Sequence, residues 1–391
     1  MSWVETDVVQ QREGFVMAAL KGSVSFKALC RTFQVSRKTG YKWLHRFRKE
    51  GLQGLQDRSR APHDQGRQLS EEVIDRILCA RHEHRNWGPK KLVAHLGLGI
   101  PREDWLVVSS VGRVLKRHGL INPRRRRSHQ RSPGSQTRTV AKDPNDVWTV
   151  DFKGKFRMGN GQYCHPMTLM DDATRYVLKC RGLVSQRGDL CRPVFEAAFR
   201  EYGLPKVIRS DNGKPFADVG VGRLSVLSVW WIKLGIWPEQ IRLGQPQENG
   251  RHERMHRELK RETARPPAGN APAQQRRFDR FLSEYNEVRP HEGIGFRRPG
   301  DLYSPSFTTF PTVLREVEYP GHFEVRSVMD GGCFSWRGEN IYVSATLAGE
   351  RVGLLEVDDG IWRVFFDRLE LGVVDERHDP GPGHMKKVLP M

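Results

Sequence analysis

The sequence predicts a multidomain α/β protein, with helical units first, an α/β core next and a small β domain last. Apolar residues recur at helical spacing through about the first 120 residues. Between residues 145 and 305 the pattern becomes strand, hairpin, strand, helix and strand, which is typical of an α/β sheet. Beyond Pro305, five short alternating segments separated by turns predict a small barrel of the SH3-like type.

The chain is strongly basic. Its 391 residues include 65 Lys and Arg against 46 Asp and Glu, which gives a formal net charge of +19. This excess is larger than an enzyme acting on small neutral substrates needs, and it favours a polyanionic partner, with nucleic acid as the first candidate. Basicity that serves only solubility is the alternative.

Several other classes of protein are disfavoured. The apolar stretch 224–236 is interrupted by Lys233, so we expect no membrane span. The N-terminal residues lack the basic-then-apolar order of a signal peptide. The six cysteines contain no Cys-x-x-Cys pair, which argues against a disulfide framework and a cysteine-rich zinc site. We therefore expect a cytoplasmic protein.

Residues 1–62 are predicted to form a helix-turn-helix unit. A short helix over residues 25–33 is followed by a turn that ends at Ser36, a good helix N-cap, and then by a basic helix. In such a unit the second helix lies in the major groove of DNA. A helical bundle with a solvated basic face is the alternative. The candidate DNA-binding residues are Arg37, Lys38, Lys42 and Arg46.

A second helix-turn-helix unit is predicted at residues 69–121, with a dimerisation module as the alternative. Residues 122–144 form a predicted basic flexible linker, rich in Ser, Pro and Gly. The linker opens with four adjacent arginines, which repel one another unless phosphates lie nearby. We expect an arm that binds DNA phosphates, with a solvated linker as the alternative. The arginines are Arg124, Arg125, Arg126 and Arg127.

Three acidic residues are candidates for chemistry. Asp151 lies in a strand of buried type, where an unpaired carboxylate is costly, and Asp211 ends a second strand. Glu253 follows Gly250 at the start of a predicted helix. Carboxylates without a cysteine partner suit hard cations such as Mg²⁺ or Mn²⁺, and two such ions can clamp a phosphoryl displacement. Composition alone does not select these three residues, because a strand-end Asp is commonly a turn or a cap.

Four sequence blocks lie at or near these three residues. The blocks are VWTVDF at 147–152, LMDDATRY at 169–176, IRSDNG at 208–213 and PQxxGxxE at 246–253. Together they resemble the catalytic core of the retroviral-integrase superfamily, and more closely the bacterial insertion-sequence transposases of the DDE type. The resemblance extends to YNxxRPH at 285–291 and covers most of the chain.

This resemblance implies a fold, a reaction and a set of partners. Residues 145–305 would form a ribonuclease-H-like integrase catalytic core, followed by a β-barrel domain at 316–376. Two Mg²⁺ or Mn²⁺ ions would bind at this site. Asp151 and Asp211 would bind both ions, and Glu253 would bind the second ion. The protein would be a DNA transposase that binds the terminal inverted repeats of an insertion sequence, cleaves DNA to expose 3′-OH ends and joins them to target DNA. The protein would act as a homo-oligomer that holds two double-stranded DNA ends together. It would be associated with the bacterial nucleoid.

The chain departs from the family pattern in the spacing of its third acidic residue. The interval from Asp211 to Glu253 holds 41 residues, whereas Glu248 would give 36, closer to the usual family spacing. We choose Glu253 because the PQxxGxxE block aligns with it. Arg257 and Lys260, which lie four and seven residues later, then share its helix face and are candidate DNA contacts.

Other polar residues near the motifs receive structural interpretations. Asp171 and Asp172 match a family position that is not a metal ligand, and we expect them to form a turn. His252 and His256 flank Glu253 and are expected on a solvated or DNA-facing helix surface. The paired-His, paired-Cys zinc module of retroviral integrases is missing from the front of the chain.

Two other functions remain open. A catalytically silent, sequence-specific DNA-binding regulator derived from a transposase would keep the helix-turn-helix units and lose the chemistry. A metal-dependent nuclease would cut DNA without joining it.

Overall fold

The computed structural model describes residues 7–58, 69–97, 107–121, 139–242, 250–377 and 386–389. The candidate residues Arg124 to Arg127 and the alternative residue Glu248 lie outside these ranges. The chain divides into two compact units, Met1–Ser70 and Glu71–Met391. Within the described ranges no helix is both long and apolar enough to cross a membrane.

The first unit packs helices α1 (Val8–Lys21), α2 (Phe26–Thr32) and α3 (Arg37–Glu50) around a small apolar core. Each helix begins at a side-chain N-cap, because Asp7, Ser25 and Ser36 accept a backbone N–H from the first turn. The helices also approach closely at Gly40, where an added Cβ would lie 2.7 Å from the Phe15 ring. The predicted helical front end is therefore confirmed.

The second unit begins with helices α4 (Glu71–Glu83), α5 (Pro89–Leu96) and α6 (Val108–Arg117). Pro89 stands at the first turn of α5, where its missing N–H costs no helical hydrogen bond. Trp87, which precedes α5, is 1% exposed and stacks on His84. The predicted helices over this part of the chain are confirmed.

The α/β core is built on a mixed sheet. Antiparallel β1, β3 and β4 are extended by β5 and β6, which run parallel to β1, and β2 pairs with β3. The strands are β1 (Val147–Phe152), β2 (Phe156–Arg157), β3 (Tyr163–Asp171), β4 (Val177–Leu183), β5 (Val207–Ser210) and β6 (Trp237–Gln240). The helices are α7 (Gly188–Tyr202), α8 (Val226–Lys233), α9 (Gly250–Thr263) and α10 (Ala271–Ser283).

Side-chain alternation along the strands gives this sheet two apolar faces. Leu169 of β3 joins the cluster formed with α7 and α8, which contains Phe195 and Trp231. Met170, the next residue, joins the opposite cluster with residues of α9 and α10. Both faces are therefore covered by helices, and the predicted α/β core is confirmed. Strand β6 is a correction, because the sequence pattern predicted helix there.

The C-terminal region is rich in β structure. The strands are β7 (Glu324–Ser327), β8 (Cys333–Trp336), β9 (Glu339–Tyr342), β10 (Arg351–Asp358), β11 (Ile361–Phe366) and β12 (Leu369–Asp375). They form one sheet in the order β12-β11-β10-β7 and a β8-β9 hairpin. The sequence predicted the first five of these strands and missed β12.

The C-terminal strands share an apolar core with the α/β core. Val229 and Ile232 of α8 belong to the same buried cluster as Phe334 and Val364. Lys233, the last residue of α8, is ion-paired with Glu350 at 2.8 Å. The apolar face of α8 that points away from the sheet is thus buried by the C-terminal region.

Replacing Ile232 by Ala is expected to lower the free energy of unfolding by about 2–5 kcal/mol, because the side chain is 2% exposed and its loss leaves a cavity between two structural layers. Val226→Ala on the same helix is the control, because Val226 is 70% exposed and should change stability by about 0.5 kcal/mol or less. Urea unfolding followed by circular dichroism measures both. Equal stability of the two variants would contradict the shared core.

Candidate active site

Asp151 and Asp211 lie level with each other at the same end of two neighbouring strands. The parallel register between β1 and β5 pairs Trp148 with Ile208 and Thr149 with Arg209. When that register is continued by two residues, Asp151 lies beside Asp211, the first residue after β5. The Asp211 carboxylate accepts the backbone N–H of Gly213 at 3.3 Å, which fixes its direction.

The Asp151 carboxyl group is electrostatically strained. Burial raises its pKa to about 7, and the negative charge of Asp211 adds to the shift, with a smaller contribution from Glu253. The neighbouring Lys153 opposes the shift only in part. Burial also raises the pKa of Asp211. Asp211 and Glu253 are therefore close enough for their charges to act on Asp151.

Helix α9 lies on the sheet beside Asp151 through an apolar stripe that contains two histidines. Met255 and Leu259 are each 1% exposed, and His252 and His256 are 0% and 1% exposed. The expected solvent-facing position of these histidines is therefore wrong. The error came from residue type, because their spacing relative to Met255 and Leu259 places them on the apolar face.

One buried hydroxyl group holds both imidazole rings. The Thr168 Oγ1 atom lies 2.6 Å from His252 Nε2 and 2.6 Å from His256 Nε2. It is also within 3.2 Å of the backbone carbonyl oxygen of Asp151. On the far side, His252 Nδ1 lies 2.8 Å from Thr149 Oγ1. These contacts join β1, β3 and α9 at one point.

The same network reaches the Asp151 side chain. His256 Nδ1 is 3.5 Å from Asp151 Oδ2. Burial lowers the pKa of His252 to about 3, and burial together with His252 holds the pKa of His256 well below its ordinary value. Both rings are therefore neutral at pH 7, so the contact between His256 and Asp151 is not a pair of opposite charges.

The outer side of α9 is held by the segment after α10. Arg289 is 2% exposed at its side chain, and it donates to Glu258 at 2.6 Å and to Glu262 at 3.3 Å. Asn286 bonds both the N–H and the C=O of Val177 in β4. The YNxxRPH motif therefore connects the sheet to α9, a role that its sequence alone did not reveal.

Glu253 lies in the first turn of α9 and faces away from the apolar stripe. Arg257 and Lys260, on the same helix, are also exposed. Their spacing of four and seven residues keeps all three on one side of the helix. Of these three residues, Glu253 lies close enough to the strand ends for its charge to act on Asp151.

Asp171 and Asp172 hold a turn, as their sequence position indicated. Asp171 accepts the backbone N–H groups of Asn145 and Thr174, and also the Thr174 hydroxyl. Asp172 is buried and ion-paired with arginines from three elements of the core. The arginines are Arg175, Arg209 and Arg251.

The predicted DNA-binding residues of the first unit lie along α3. Arg37, Lys38 and Lys42 are exposed, whereas Arg46 is half-buried. Lys42 and Arg46 both lie over the Trp43 ring, at 4.5 and 5.1 Å from its centroid. The helix therefore presents cations at its N-terminal end, the end that enters the major groove in units of this kind.

Domain-family comparisons match several parts of the chain. An integrase core domain matches residues 141–246 and again 234–299. The chain therefore contains an integrase core domain within residues 141–299. A helix-turn-helix domain matches residues 11–63, and a homeodomain-like domain matches residues 39–115. The C-terminal domain of the IS481 family transposases matches residues 323–380.

Individual relatives come from bacterial insertion elements. An uncharacterized 31.7 kDa protein of insertion element IS407 from Burkholderia multivorans is 24% identical over 60% of this chain and 81% of its own length. An uncharacterized 39.2 kDa protein of IS476 from Xanthomonas euvesicatoria is 26% identical over 48% of this chain and 53% of its own length.

Solved integrase structures show a weaker similarity. An HTLV-2 integrase catalytic core domain in complex with magnesium has a TM-score of 0.32 at 14% identity, over 41% of this chain and 97% of that one. A chain from a simian T-cell lymphotropic virus intasome has a TM-score of 0.37 at 18% identity, over 77% of this chain and 100% of that one.

The family implies a divalent cation, and the donor chemistry fits one. Asp151 and Asp211 present carboxylate oxygens, which Mg²⁺ and Mn²⁺ prefer, and their mutual repulsion is what a cation would relieve. Within the described ranges no three His, Cys, Asp or Glu side chains have the spacing of a formed metal centre. Glu253 is exposed in the first turn of α9.

The Thr168 hydroxyl is expected to be essential for packing α9. Thr168→Val should lower the free energy of unfolding by about 1–3 kcal/mol, because two buried imidazole nitrogens lose their partner. Thr168→Ser keeps the hydroxyl and should retain most of the stability. Urea unfolding measures both variants, and a valine variant as stable as the wild type would contradict the network.

The strain at Asp151 predicts a pH dependence of stability in metal-free protein. Because the pKa is about 7 in the folded state and ordinarily 3.8, the folded state binds more protons between these values. The free energy of unfolding should therefore fall as the pH rises from about 4 to 7, with a limiting slope of about 1.4 kcal/mol per unit.

Asp151→Asn removes this titration, so the stability of the variant relative to the wild type should increase across that pH window. Urea unfolding in EDTA at pH 4.5 and pH 8 measures the difference. The same relative stability at both pH values would show that Asp151 is not strained.

Proposed function

We propose that the chain is an active DNA transposase. It would bind the terminal inverted repeats of its own insertion sequence, expose 3′-OH ends by cleavage and join those ends to target DNA. The observation that carries the proposal is the convergence of Asp151 and Asp211 at adjacent strand ends, beside a helix that bears Glu253. A purely structural acidic turn would not require the Asp151 carboxyl group to be buried beside two like charges.

Asp151 and Asp211 would hold two Mg²⁺ or Mn²⁺ ions, and Glu253 would hold the second. When bound, the ions would supply charge stabilisation to the attacking and leaving oxygens of an in-line displacement. The His256 ring lies 3.5 Å from Asp151 Oδ2, and the Gly213 amide donates to Asp211, which would help to hold both carboxylates in place. Strand transfer exchanges one phosphodiester for another, so no ATP is required.

Other residues would hold the DNA in place. Arg257 and Lys260 follow Glu253 on α9 and would contact phosphates next to the reacting bond. Arg37, Lys38, Lys42 and Arg46 would read the element end. The linker arginines Arg124, Arg125, Arg126 and Arg127 would add sequence-independent affinity.

The proposal has consequences for assembly and location. Two element ends must be held together for joining, so we infer a homo-oligomer that acts on DNA in the bacterial cytoplasm at the nucleoid. The domain limits proposed from the sequence are 1–62, 69–121, 122–144, 145–305 and 316–376. For the last of these we propose a small SH3-like barrel, which the β10-β11-β12 meander supports.

A joining assay tests the function directly. The full chain is incubated with supercoiled plasmid, Mg²⁺ or Mn²⁺, and a duplex that carries the DNA flanking its own gene with a pre-cut 3′-OH. We expect joined products without ATP. Asp151→Asn, Asp211→Asn and Glu253→Gln should each abolish joining, because each removes a charge that the cations require. Glu248→Gln is the matched control and should keep activity.

The outcomes separate the candidate functions. A duplex that ends in a 3′-deoxynucleotide should bind normally and fail to join, because the attacking oxygen is missing. Products that are shortened and never joined would favour a metal-dependent nuclease. Tight end binding with neither product would favour the silent DNA-binding regulator. Loss of joining in Glu248→Gln, with Glu253→Gln active, would transfer the third role to Glu248.

A further inference from the structure

A basic cleft lies between the second helical unit and the outer side of α9. Its volume is about 760 Å³, and Asp151, Asp211 and Glu253 are not among its lining residues. One wall contains Asn86, which precedes α5, and Lys91, which lies in α5. The opposite wall comes from α9. Among the described residues, the lining includes two carboxylates, Glu258 and Glu292, and seven cations. The cations are Lys91, Arg175, Arg251, Arg254, Arg257, Arg261 and Arg289.

Part of this positive charge is neutralised within the protein. Arg289 and Arg261 both pair with Glu258, and Arg175 and Arg251 both pair with the buried Asp172. In the part of the chain that the structure describes, the remaining cations form no side-chain ion pair. They are Lys91, Arg254 and Arg257.

The arginines of the cleft leave buried nitrogens without a hydrogen-bond partner and disfavour the charge of Lys91. The Nε atoms of Arg289 and Arg261 are buried and have no hydrogen-bond partner in the described structure, and the Arg289 side chain is 2% exposed. Burial, followed by repulsion from Arg289, lowers the pKa of Lys91 to about 8. Glu258 and Glu262 oppose this shift only in part, so a negative group in the cleft would favour the charged form of Lys91.

The walls of the cleft are tied together at its rim. His84 lies 3.0 Å from Glu284, and Lys90 is paired with Glu292 at 2.6 Å. These contacts connect the second helical unit to the segment that follows α10. The cleft is therefore a preformed surface with cations on both walls, which suits a ligand that carries charge along its length.

We propose that this cleft binds the phosphodiester backbone of double-stranded DNA through Lys91, Arg254 and Arg257. The choice of DNA rests on the proposed function. Arg257 lies one helical turn after Glu253, so a backbone held here would run beside the helix that borders the candidate active site. The second helical unit and α9 would then grip the same DNA, and Lys91 would be the contact from the helical unit.

Binding measurements on the full chain test the cleft without requiring catalysis. The probe is a labelled 30-base-pair duplex of mixed sequence in EDTA, titrated at several salt concentrations. Lys91→Gln should weaken binding by about three- to tenfold and reduce the salt slope by about 0.9, the value for one phosphate contact. Lys91→Arg should restore both. Lys206→Gln, which removes a lysine that is 78% exposed at its side chain, is the matched control.

A second variant and a local readout guard against misfolding. Arg254→Gln changes an exposed residue of α9 and should also weaken binding. Lysine acylation followed by mass spectrometry should show that the duplex protects Lys91 and leaves Lys206 reactive. Inorganic phosphate at the same phosphate concentration should protect Lys91 far less than the duplex, because it cannot contact both walls.

The results distinguish this proposal from the proposed function. Equal affinity of Lys91→Gln, Arg254→Gln and Lys206→Gln, with Lys91 acylated equally in the presence of DNA, would overturn the cleft even if the wild type joins DNA. Weakened binding and protection of Lys91 in a chain that never joins DNA would support the cleft and overturn the transposase function.

Discussion

The attachment of α9 to the sheet through the Thr168 hydroxyl group is the contact on which the candidate site depends. A polar contact of this kind is strong in a buried setting, because no water competes for the imidazole nitrogens. Burial keeps both histidines neutral, so the contact adds no buried positive charge. The contact thereby fixes both the distance between the helix and Asp151 and the orientation of the helix. An all-aliphatic stripe would give α9 affinity for the sheet without this directional hold.

A second constraint acts from the opposite side of the same helix. Arg289 donates to Glu258 and Glu262, which lie one turn apart on α9. The helix is therefore held by Thr168 on its sheet-facing side and by Arg289 on its outer side. Successive residues of a helix are turned by about 100°. A shift of α9 by one residue would carry Glu253 away from the strand ends, and both sets of contacts oppose such a shift. The position of Glu253 is therefore a property of the whole core.

Much of the fold could be predicted because local pattern and tertiary environment agree. The VWTV run of β1 is buried, and its apolar character was sufficient to identify a central strand. Strand β6 was missed because its sequence, WPEQ, contains a proline and two polar residues. Such residues are tolerated there because β6 lies at the edge of the sheet.

The site was only partly predictable for a different reason. Asp151 and Asp211 follow strands whose pattern is clear, and the family motifs pointed to them. His252 and His256 were misplaced because polar residue type was given more weight than spacing. The basic cleft could not be predicted from the sequence, because it brings together Lys91, Arg254 and Arg289 from distant parts of the chain. No local sequence pattern indicates such a contact.

The division of the chain near residue 70 has a consequence for how such elements diversify. The α/β core and the C-terminal strands share one apolar cluster, so neither can be exchanged without rebuilding the other. The first unit has its own apolar core, capped helices and no part in that cluster. Recombination between related genes at this border would replace the unit that matches a helix-turn-helix domain and leave the shared cluster intact. The sequence of the first unit can thus diverge without disturbing the packing of the core.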